Sequence, residues 1–145
     1  MSQVNSRRLI PLFESYCRRN DIDGKEIEAT ISGIPVKLAV VSTPESQMKG
    51  YMHHETGPVG DTGMLFVYDE PQPLSFWMKN VTFPLDIIFF DSNMNYINHE
   101  TMDPAEDVPD HQVPQYHSKA PARFAVELES GWCKKNMQPN CKLSF

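Results

Sequence analysis

The chain has 145 residues, of which 40% are hydrophobic and 22% charged, enough for one domain with a real core and too few for two of ordinary size. Thirteen Lys and Arg stand against 19 Asp and Glu, and a net charge of −6 disfavours a nonspecific grip on phosphate backbones, so no nucleic-acid partner is expected. Twelve prolines point to many turns and short helices.

In chain order, "SRRLIPLFESYCRR" (6–19) places Leu9, Leu12, Phe13 and Tyr16 at helical spacing between arginines, with Pro11 in the first turns. An amphipathic helix and linker over 1–24 is therefore predicted, packed on its own domain or docking onto a protein partner through 6–19. The apolar run there is too short for a leader or a membrane span, so no membrane partner and a cytoplasmic location are expected. Residues 25–145 read as a single domain. "EIEATI" and "PVKLAVV" alternate as strands, with Gly33 supplying a hairpin between them. "STPESQMKGYM" starts a short helix on Thr43 as N-cap and Pro44 at its first position, and Gly50 loosens or ends it.

"HHETGPVGDTG" reads as an exposed loop. "MLFVY", "LSFWMKN", "LDIIFFD" and "MNYINHET" read as strands joined by "DEPQP", "VTFP" and "DSNMN". Residues 102–121 hold four prolines and read as a long irregular excursion. "RFAVELE" is a further strand, "SGWCKKNM" a brief helix capped by Ser130, and "CKLSF" a last strand.

The runs "MKGYM", "GMLFVY", "SFWMKN" followed by "PLDIIFFD", and the later "PARFAVEL" resemble the domain-of-unknown-function family numbered 192 over about residues 26–145. The resemblance implies an α+β domain, mostly antiparallel, with a barrel-like curled sheet and short peripheral helices. It implies no activity. Where members of that family read G-L-M-x-R, this chain has Gly50, Tyr51, Met52, His53 and His54, so the arginine is missing.

Polar residues inside apolar chain mark the candidate site. Lys79, Asn80 and Asp86 interrupt "LSFWMKNVTFPLDIIFF". Structurally, Asn80 would buttress the turn while Lys79 pairs with Asp86 across it. Functionally, Lys79 would bind an anion or act as an acid, Asn80 would orient a ligand, and Asp86 would fix the lysine. Arg123 and Glu127 share a strand face by alternation and would pair, and Ser118 with Lys79 and Arg123 would form a small positive pocket for an anion or glycan acid. Trp77 with Met52 and Met64 would suit a sugar or an apolar group, although core packing explains most of the aromatic run.

The five histidines show no HxH or HExxH spacing, so no metal site and no cofactor are expected. Cys17, Cys133 and Cys141 have no CxxC spacing and read as free thiols, unless Cys133 and Cys141 approach closely enough to pair. The reading that follows is a noncatalytic binding or structural module that engages a small anionic or glycan ligand at the Lys79, Asn80 and Asp86 cluster. The alternatives are a small hydrolase or lyase using Lys79 and Asp86, and a subunit of a larger assembly docking through its N-terminal helix.

Overall fold

The computed structural model describes residues 22–138 and 140–145, so the helix expected over 6–19 lies outside the described residues. Its strands are β1 (Glu26–Ile31), β2 (Ile34–Val41), β3 (Thr62–Gln72), β4 (Ser75–Trp77), β5 (Leu85–Phe90), β6 (Tyr96–Met102), β7 (Gln115–His117), β8 (Ala122–Glu129) and β9 (Leu143–Ser144). The helices are α1 (Pro44–Lys49) and α2 (Trp132–Asn136), with a 3-10 turn at Asp110–Gln112.

Seven strands form one sheet in the order β6-β5-β8-β3-β2-β1-β9, and β4 pairs with β7 in a separate ribbon. All pairings are antiparallel except β2 with β3, whose crossover carries α1. The sheet curls until its ends approach: Asn95 bridges Lys142, Tyr96 donates to the Cys141 carbonyl at 3.2 Å and Leu143 donates to the Met94 carbonyl at 3.0 Å. This is the barrel-like α+β architecture that the resemblance implied.

Strand alternation divides the core. Leu65, Val67, Ile88, Phe90, Phe124 and Val126 point inside the curl, with Trp132 and Cys133 of α2 packed on the same side. Met64, Phe66, Ile87, Phe89 and Ala125 point outward and are covered by Leu74, Met78 and Val81. Every residue of β5 is buried, as is every residue of β8 except Glu129. A polar residue on either strand therefore meets packed protein on whichever face it occupies.

The structure redraws several predicted elements. "LSFWMKN" is a strand only over Ser75–Trp77, because Asn80 takes φ +59 in a turn closed by Val81 N–H on the Met78 carbonyl at 3.1 Å. β3 runs on through Asp69, Glu70 and Pro71, which the sequence marked as turn, with a register shift against β8 between Val67 and Gln72. The excursion over 102–121 is not wholly irregular, since Gln115–His117 pairs with β4. α2 is not capped by Ser130: Gly131, at φ +93, is its N-cap and makes no side-chain cap.

α1 starts as predicted. Thr43 Oγ1 accepts from Ser46 N–H at 3.1 Å, Ser46 Oγ accepts in return from Thr43 N–H at 3.2 Å, and Pro44 opens the first turn. Gln47 ties the helix to the sheet by donating Nε2 to the Val67 carbonyl at 2.6 Å. Gly50 ends it at φ +44, a conformation that favours glycine. At the next crossover Gly63 is required for space: a Cβ there would collide with the Glu127 carbonyl of β8. That close approach holds Glu127 beneath the C-terminal end of α1.

Candidate functional site

The outer face of the sheet carries a cavity of about 310 Å³. Phe66 and Tyr68 from β3 and Glu127 from β8 form its base, Lys49 to Met52 close one side, and Phe76 and Trp77 of β4 stand opposite. Phe66 and Phe76 meet edge to face with centroids 4.8 Å apart, so the aromatic wall is continuous from the base to the rim. A Cβ on Gly50 would lie 3.7 Å from Glu127 Oε1, so the glycine leaves the carboxyl uncovered by a side chain.

Glu127 is the polar centre of this cavity. It is 4% exposed, and no hydrogen bond or ion pair reaches its carboxyl among the described residues. Burial pushes its pKa up to about 8 from an ordinary 4.5, which keeps it protonated at neutral pH. The phenols of Tyr51 and Tyr68 are raised as well, first by burial and then by the negative charge Glu127 carries when ionised. The expected pairing of Arg123 with Glu127 is absent. Arg123 instead donates Nε to the Tyr68 carbonyl at 2.9 Å and lies 5.8 Å from the Phe124 ring centroid.

The Lys79, Asn80 and Asp86 cluster does not assemble. Lys79 pairs with Asp110 at 2.7 Å and sits 5.4 Å from the Trp77 ring centroid, not beside Asp86. Asn80 turns the chain, and its carbonyl accepts from His53 N–H at 3.0 Å. Both line a second depression whose other wall includes Glu106, Asp107 and Asp110, a setting that repels an anion. Asp86, 1% exposed, belongs to the frame: it accepts from Thr101 Oγ1 at 2.9 Å, Gly131 N–H at 3.1 Å and Cys133 N–H at 2.9 Å. The last two are the orphan amides at the start of α2, so this carboxylate supplies the cap expected of Ser130.

Ser118 is equally structural. Its Oγ accepts from Leu74 N–H and its N–H donates to the Leu74 carbonyl, both at 2.9 Å, fastening β4 to β7. The positive pocket of Lys79, Ser118 and Arg123 is not formed, because each has a different partner. Of the candidate residues, the cavity brings together Met52, Trp77 and Glu127. Tyr51 and Tyr68 were missed. In sequence Glu127 shares a polar-looking strand face with Arg123 and Glu129, and only the structure shows that face to be covered at Glu127.

Because the Lys79 and Asp110 side chains remain 35% and 63% exposed, Lys79→Met is expected to cost less than about 1 kcal/mol in urea denaturation. A loss of several kcal/mol would reveal a buried role for the lysine.

Among the described residues, no group of three or more His, Cys, Asp or Glu could hold a metal ion. Cys133 and Cys141 are free and buried, and burial, followed by the nearby Asp86, raises the Cys133 thiol. No helix among the described residues is long and apolar enough to cross a membrane.

A curled, mostly antiparallel sheet with a half-closed aromatic cavity on its outer face defines a small α+β module. The chain belongs to the DUF192 family, described as an uncharacterized ACR, whose model matches residues 27–145. No curated protein matches. Among solved structures, a Sinorhizobium meliloti 1021 protein, whose description suggests a transcription regulator, is similar with a TM-score of 0.73 and 24% identity over 85% of this chain and 95% of its own. A protein of unknown function from Novosphingobium aromaticivorans DSM 12444 is similar with a TM-score of 0.68 and 25% identity over 83% of this chain and 85% of its own.

Proposed function

We propose that this protein is a small-molecule binding module whose ligand enters the outer-face cavity and is read at its base by Glu127. The observation that carries this is the carboxyl itself, 4% exposed and without a hydrogen-bond partner among the described residues. The carboxyl borders the cavity, and a hydrogen bond to a charged group contributes about 1.5–3 kcal/mol net, which a ligand that donates to it gains. The aromatic side chains of Phe66, Phe76 and Trp77 offer apolar surface for the rest of the ligand. This moves the ligand away from the Lys79, Asn80 and Asp86 cluster, where the lysine is already neutralised and the surroundings are acidic.

Binding is favoured over hydrolysis because one acid alone lacks the second group such chemistry uses. Glycoside hydrolysis, for example, needs a second carboxyl roughly 5–9.5 Å away, and among the described residues Glu127 is the one carboxyl that lines this cavity. Chemical-shift mapping with small amines, neutral sugars and organic acids tests the reading, with the Trp77 indole N–H and the Gly50 amide as reporters. At least one class should move both signals, and Trp77→Ala should weaken that class roughly tenfold through lost ring contact. Perturbations gathered at Lys79 and Asp110 instead would place the ligand in the other depression.

A further inference from the structure

Three features of the cavity together select a ligand chemistry. The first is the carboxyl, which has no donor from the described residues. The second is the set of electron-rich rings that share the cavity: Phe66, Tyr68 and Tyr51 near the base, Phe76 and Trp77 toward the opening. The third is the charged neighbours, none of which neutralises Glu127. Lys49 lines the cavity but is exposed and makes no ion pair with it. Arg123, on the same face of β8, is turned to the Tyr68 carbonyl, and Glu100 lies on that face one strand beyond Ile87, the residue paired with Glu127.

Protonated Glu127 can donate its O–H to an anion or a hydroxyl, but an anion meets the negative faces of the surrounding rings and a hydroxyl carries no charge for them to attract. A protonated amine brings N–H donors to the carboxyl and positive charge to the ring faces, which attract a desolvated cation. Repulsion from Lys49 is weakened by solvent and salt at the exposed rim, whereas the contact with Glu127 at the base is not screened in that way.

Resting on the reading of this cavity as the ligand site, we propose that its ligand is a small organic primary ammonium, held by N–H donation to the Glu127 carboxylate and by the aromatic wall. Binding pairs the ammonium with ionised Glu127. Below about pH 8 the carboxyl must first lose its proton to solvent, so close to one proton is released per ligand bound and the N–H bonds of the ammonium stay intact.

The test uses n-butylammonium as probe, which stays charged well beyond neutral pH as lysine does, with n-butanol and a methyl glycoside as neutral comparisons. Shifts of the Trp77 indole and Gly50 amide should saturate with butylammonium at lower concentration than with butanol. Its apparent affinity should rise about tenfold per pH unit from about pH 6 to about pH 8 and level off above. Glu127→Gln should weaken the amine at least tenfold near pH 8 and leave butanol little changed. Should that variant fail to fold, the carboxyl carbon of Glu127 in the wild-type chain gives the same answer, because saturating butylammonium must lower its midpoint. Butanol or the glycoside binding as well as the amine, a pH-independent amine affinity, or an unmoved Glu127 midpoint would overturn the ammonium assignment while the cavity stands. If none of the probes moves the cavity signals, the proposal and the binding reading beneath it both fall.

Discussion

Replacing Glu127 with Gln is expected to stabilise the protein above neutral pH and to leave it nearly unchanged near pH 5. In the folded chain burial holds this carboxyl protonated up to about pH 8, whereas its ordinary value is 4.5. Between those values the unfolded chain binds fewer protons than the native one, so stability falls as pH rises through that window and loses no more above it. The full loss is on the order of a few kcal/mol. Glutamine keeps the shape and cannot ionise, so the variant lacks this slope. Urea denaturation of both proteins at about pH 5 and about pH 9 reads the difference directly, because other titrating groups largely cancel between them. Parallel pH dependence in the two proteins would mean that Glu127 is hydrated or paired in solution, and the binding reading would lose its main support.

Asp86→Ala should be the most damaging single substitution among the polar candidates. It removes one acceptor and strands Thr101 Oγ1 and the amides of Gly131 and Cys133 where β5, β6 and α2 meet. At about 1–3 kcal/mol per buried donor left unpaired, the expected loss is on the order of 4 kcal/mol. Asp86→Asn, which keeps an acceptor of the same shape, should lose about half of that. Equilibrium unfolding gives the magnitude, and hydrogen exchange at the Cys133 amide shows whether α2 loosens first. A stable Asp86→Ala with slow exchange at Cys133 would release Asp86 from its structural role and reopen it as a chemical group.

The contrast between these carboxylates explains why polar residues in apolar chain are ambiguous in a sequence. Asp86 and Glu127 both interrupt strands whose neighbours are hydrophobic, and both are almost wholly buried. Alternation sends them to opposite faces: Asp86 pairs across with Leu128, whose side chain points into the curl, and Glu127 pairs with Ile87 on the outer face. Inside, the start of α2 supplies donors to Asp86. Outside, α1 ends at Gly50 and leaves Glu127 bare. No local spacing distinguishes a carboxylate that will meet helix amides from one that will meet a cavity, because the partners lie 45 and 47 residues away in the first case.

Local chemistry was legible where the deciding forces are local. The hairpin at Gly33, the start of α1 on Thr43 and Pro44, and its end at Gly50 depend on backbone preferences and caps a few residues apart, and they stand where the sequence put them. The apolar runs of β3 and β5 and the alternation of β8 were legible as strands, while the family resemblance carried the α+β class and the curled sheet. Tertiary structure alone decided that Lys79 turns to Asp110 and not Asp86, that Ser118 is spent on Leu74, and that Met52, Trp77 and Glu127 gather with Tyr51 and Tyr68 around one cavity. Those outcomes depend on the crossover from β2 to β3, on the β4–β7 ribbon folding back over the sheet, and on the close approach of Gly63 to β8. Each brings together segments far apart in the chain, and the energy that selects them is burial of the whole outer face, a quantity that no short stretch of sequence contains.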